Sequence, residues 1–90
     1  MKKRFHIIIS GRVTGVFFRA FVKENADKLN ISGWVRNLGD KVEVVFEGED
    51  GLVDKLIDLC NRGPESAKVV DIEIKEEEYS REFDDFEIIH

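Results

Sequence analysis

The chain has 90 residues, of which 42% are hydrophobic and 37% charged, and carries a net charge of −5. That length leaves room for one hydrophobic core, hence one domain over residues 1–90. The acidic balance argues against nucleic acid as the main partner, and the single cysteine, Cys60, excludes an internal disulfide and suits a reducing compartment.

The charge is unevenly spread. Residues 1–23 hold Lys2, Lys3, Arg4, Arg12, Arg19 and Lys23 and no acid, so the remainder carries −11. A local basic segment on an acidic chain points to an anion site rather than a polyanion track, against the simpler reading of uneven surface charge. The basic start and the apolar run Phe5 to Ile9 resemble the first half of a signal peptide. The run ends at Ser10-Gly11-Arg12, too soon for an export signal. No segment is long enough to cross a membrane, so the expected location is cytoplasmic.

In chain order, Phe5 to Ser10 alternates apolar residues and reads as a strand buried on both faces. Gly11 to Phe18 has two glycines and no helical period, which predicts a loop. Phe18, Phe21, Val22, Ala26 and Leu29 have helical spacing, with Asn30 as a left-handed terminator. A strand over Gly33 to Leu38, a tight Gly39-Asp40 turn and a strand over Lys41 to Glu47 form a hairpin. Leu52, Val53, Leu56, Ile57 and Cys60 define a second helix, stopped by Gly63-Pro64. Val70, Ile72 and Ile74 alternate in a further strand, and the acidic cluster Glu76-Glu77-Glu78 reads as a solvated turn. Phe86 and Ile88 alternate in a short terminal strand. The order β-α-β-β-α-β with a tail strand predicts an α+β, ferredoxin-like sandwich, an antiparallel sheet with both helices on one face.

The loop Gly11-Arg12-Val13-Thr14-Gly15-Val16-Phe17-Phe18-Arg19 joins a buried strand to a helix. Such a loop can turn successive N–H groups inward as a phosphate nest. Arg19 in the first helical turn opposes the helix dipole by ~0.3–1 kcal/mol unless an anion is bound there. An ordinary strand-to-helix turn with an exposed arginine explains the spacing equally well. Other phosphate chemistries lack their residues. No Lys-Ser/Thr follows the glycines as in a Walker A loop, Cys60 sits at a core register, and His6 and His90 make no metal cluster. A phosphate cradle with no proton donor nearby suits a leaving group that departs unprotonated, such as a carboxylate. Asn37, on the second strand, is the best candidate to hold a water, since a neutral amide both donates and accepts.

Gly11 to Arg19 resembles the acylphosphatase signature G-R-V-Q-G-V-x-F-R, and Gly33-Trp34-Val35-Arg36-Asn37 is similar to that family's G-W-V-R-N. The resemblance extends over essentially the whole chain. It implies hydrolysis of acyl phosphates to a carboxylate and inorganic phosphate, with no metal, cofactor or covalent intermediate. Arg19 would bind the phosphate, Asn37 would orient the attacking water, and the amides of Thr14, Gly15, Val16, Phe17, Phe18 and Arg19 would form the cradle. Arg12 and Trp34 would support loop and core. Two departures stand out: Thr14 replaces the family's usual glutamine, and Gly39-Asp40 reverses the usual order of the hairpin turn. The expected partner is a small-molecule acyl phosphate, hydrolysed by a monomeric protein with inorganic phosphate as product, with no nucleic acid and no membrane. Two alternatives are a regulatory domain of the same fold that binds acyl phosphate without turnover, and an RNA-binding module. The second calls for exposed aromatics and a basic sheet face, whereas Glu43 and Glu47 lie opposite the core positions of their strand.

Overall fold

A computed structural model describes all 90 residues. It contains β1 (Lys2–Arg12), α1 (Phe18–Lys28), β2 (Ser32–Leu38), β3 (Lys41–Glu49), α2 (Asp50–Arg62), β4 (Lys68–Glu77) and β5 (Phe86–Ile88). The strands form one sheet in the order β4-β1-β3-β2-β5. The first four are antiparallel to their neighbours, as expected, but β5 joins β2 in parallel, with Val35 opposite Ile88, so the sheet is mixed. No alternation pattern in three residues distinguishes the two directions. The approach is set by where segment 78–85 crosses the sheet.

The core lies between the sheet and the two helices. Ile7 and Ile9 of β1, Val44 and Phe46 of β3, Phe18 and Val22 of α1 and Val53 and Leu56 of α2 are fully or almost fully buried in it. Each such side chain contributes about 1.5–3 kcal/mol relative to exposure, so this layer supplies most of the driving force. Gly63 ends α2 at φ 71, and a Cβ there would stand 2.8 Å from the Phe18 ring. The glycine therefore both terminates the helix and lets the ring at the start of α1 pack. Asn30, at φ 58, ends α1 as expected.

Strand β1 is not buried equally on its two faces. Phe5, Ile7 and Ile9 face the core, whereas His6 and Ile8 are half-buried on the opposite face. That face is covered by polar groups and segment 78–85 instead of helices. Arg4 donates to Glu77 at 2.9 Å, Glu82 at 2.8 Å and Glu47 at 3.2 Å, with its guanidinium 5.1 Å from the Phe83 ring centroid. Arg36 and His6 donate to the two oxygens of Glu43 at 2.6 and 2.7 Å. Glu43 and Glu47 are consequently buried, although they lie opposite the core. Glu76 and Glu77 belong to β4 and not to a turn, and Glu77 is bound by Arg4.

Trp34 is also on this outer face. It is half-buried, with the Arg36 guanidinium 5.3 Å from its ring centroid, so it supports neither loop nor helix-side core. Arg12 is exposed at the end of β1 and makes no ion pair or side-chain hydrogen bond to the loop. The basic segment is mostly structural too. Arg4 binds three carboxylates, Lys3 pairs with Asp50, and Lys23 bonds Asp27 and the Phe86 carbonyl.

Candidate active site

The loop after β1 is pinned at both ends. Val13 at its base and Phe18 at its exit are buried in the core, and Ser66 donates to the Val16 carbonyl at 3.2 Å. Between these anchors Gly15 takes φ 69 and Phe17 φ 61, both left-handed. Space does not require glycine at position 15, since a Cβ would meet nothing within 4 Å. The backbone favours it, because that conformation costs other L-residues roughly 1–2 kcal/mol, a cost that Phe17 bears.

The N–H groups of residues 14–19 make no bond to other backbone atoms, no side chain caps α1, and its first turn has no acid. Unpaired donors at the positive end of a helix, following left-handed turns, form an anion nest. Arg19 is half-buried beside them, and its Nη1 donates to Nδ1 of His90 at 3.3 Å. Asn37 is exposed near the end of β2, opposite Val42 of β3. The reversed Gly39-Asp40 turn leaves this register intact. Leu38 pairs with Lys41 across a two-residue loop in which only Gly39 has positive φ, as in a type II′ turn.

Arg19 and Asn37 line one concavity of about 410 Å³, together with Gly15, Phe17, Phe18 and Ile88. Thr14 and Val16 do not line it: Thr14 is exposed, and Val16 packs on the core. No Asp or Glu side chain lines it, and its polar side chains are those of Arg19, Asn37 and His90. A second concavity, about 400 Å³ around Lys2, Glu49, Tyr79 and Arg81, has mixed charge and no preference for an anion. Cys60 is buried, and burial pushes its thiol up to about 12, so it is inert as a nucleophile.

Ile88 and His90 were not legible as site residues. The alternation of Phe86 and Ile88 announces a strand but not its place beside β2, which is what carries the chain end to Arg19. No helix is long and apolar enough to cross a membrane.

The acylphosphatase family profile matches residues 5–88. An acylphosphatase of Syntrophus aciditrophicus is 47% identical over the whole chain and 95% of its own length, and one of Rubrobacter xylanophilus is 51% identical over 96% of this chain and 79% of its own. The crystal structure of the Bacillus subtilis acylphosphatase superposes with a TM-score of 0.93 at 35% identity, each chain fully covered. With the family profile spanning nearly the whole chain and relatives 47% and 51% identical to it, this chain belongs to the acylphosphatase family.

Proposed function

We propose that the chain hydrolyses acyl phosphates by attack of water on a phosphoryl group held in the loop of residues 14–19. The observation that carries this reading is the row of unpaired amides beside the Arg19 guanidinium and the neutral Asn37 amide, in a cavity lined by no Asp or Glu side chain. The amides and Arg19 take the phosphoryl oxygens, and the planar guanidinium suits two of them at once. Asn37 accepts a hydrogen bond from the attacking water and donates one toward the phosphoryl group, which aims the water without ionising it.

The water oxygen bonds to phosphorus as the bond from phosphorus to the acyl oxygen breaks. The carboxylate leaves with that electron pair, and the water proton passes to solvent or phosphate. A loose phosphoryl transition state needs positioning and charge neutralisation more than proton donation. Alkyl phosphate esters, whose alkoxides must be protonated to leave, are poor substrates for the same reason. The protein works as a monomer on a small-molecule acyl phosphate, in the reducing cytoplasm that its single buried thiol suits. Its acidic outer sheet face offers nucleic acid no surface.

The test is hydrolysis of benzoyl phosphate with excess EDTA, beside glycerol phosphate, an ester whose alkoxide must be protonated to leave. Rapid loss of the acyl phosphate with little action on the ester supports the mechanism. A folded protein that binds phosphate but turns over neither compound refutes it.

A further inference from the structure

Phe17 is the most exposed large hydrophobic residue after Met1, at 83%, and is absent from the hydrophobic core to which its neighbours Val16 and Phe18 contribute. It also holds φ 61, ψ 27, a conformation that bulky L-residues rarely adopt. An aromatic residue that is both strained and solvated contributes nothing to folding, and such outliers point to function. Its ring borders the cavity that contains Arg19 and Asn37, where Phe18, Val13 and Ile88 supply further apolar surface. The cavity thus pairs an anion-binding set with an apolar wall. A ligand that fits both has a charged head and a flat apolar body.

We infer that the Phe17 ring is the platform for the acyl group, which selects acyl phosphates with an aromatic or similarly flat apolar acyl substituent. This rests on the hydrolytic reading above and adds to it a side chain that contacts the leaving group. The backbone amide of Phe17 serves the phosphate, while its ring serves the acyl end. A stacked ring face is worth about a threefold to tenfold difference in affinity.

The experiment measures binding of two non-hydrolysable mimics, 2-oxo-2-phenylethylphosphonate and 2-oxopropylphosphonate, beside turnover of benzoyl and acetyl phosphates. Phe17→Asn removes the ring and keeps a residue that tolerates the left-handed conformation, and Phe17→Tyr retains the ring. The expected result is a preference for the phenyl mimic that falls about threefold to tenfold in Phe17→Asn and is restored in Phe17→Tyr. Equal weakening of both mimics, or an unchanged preference, overturns the role of the ring. Absence of turnover in the unmodified protein refutes hydrolysis, whereas the ratio of the two binding constants still decides what Phe17 does.

Discussion

Glu47→Ala tests how the outer face of the sheet is held. The Glu47 side chain is 2% exposed and accepts hydrogen bonds from Arg4 at 3.2 Å, the Ser80 amide at 3.0 Å, the Ser80 hydroxyl at 3.1 Å and the Glu82 amide at 3.1 Å. Those bonds clamp segment 78–85 onto β3, and that segment delivers β5 to the cavity lined by Arg19 and Asn37. Removing one partner of a buried ion pair costs about 3–5 kcal/mol. Arg4 keeps Glu77 and Glu82, and water can reach the exposed Ser80, so the lower end applies, about 3 kcal/mol. In a domain of this size each kcal/mol lowers Tm by about 4–8 °C, so the drop should be about 12–24 °C. The assay is thermal unfolding by far-UV circular dichroism at neutral pH, with Glu49→Ala as control. Glu49 is over half exposed and bonds only the terminal amine, so its loss should stay within about 0.5 kcal/mol. A Glu47→Ala drop below about 4 °C would refute the reasoning, because water would then be replacing the carboxylate at little cost.

Stability should also decline at acid pH. For Glu43 and Glu47 burial alone would raise the pKa. Hydrogen bonds from Arg36 and His6, and from the Ser80 amide, Arg4 and the Glu82 amide, outweigh it and hold both below the ordinary 4.5. Because the folded values are depressed, this stability is fully present above 4.5 and is lost as pH falls through them. Urea midpoints that stay level on acidification through that range would contradict it. Arg19→Ala should abolish both phosphate binding and turnover, since no other Lys or Arg lines the cavity. Asn37→Ala should cut kcat by about 100-fold or more while phosphate still binds, and retained activity would remove its water-orienting role. Native Cys60 should resist thiol reagents and react only on unfolding, and rapid native labelling would show that α2 opens readily.

Much of this protein was readable from its residues alone. Apolar periods of two and 3.6 located the strands and helices, because burial on one side of an element imposes that spacing. Strand β4 is the exception, since Val70, Ile72 and Ile74 mark it although Val70 and Ile74 are exposed at the sheet edge. The glycines of the β1–α1 loop and Arg19 at a helix start marked a loop of left-handed turns and free amides, because backbone conformation and helix dipole are local properties. Tertiary structure decided whatever depended on residues distant in sequence. Glu43 and Glu47 look solvated in their strand and become buried only because Arg4, His6, Arg36 and segment 78–85 converge on them. Likewise, His90 lies 71 positions from Arg19 and meets it only through the parallel docking of β5 on β2. The exposure of Phe17 beside a buried Phe18 follows from one left-handed residue, which turns the first ring out to the cavity while the second enters the core. A linear pattern records which residues are apolar, but which of two adjacent phenylalanines enters the core is settled by the path of the backbone between them.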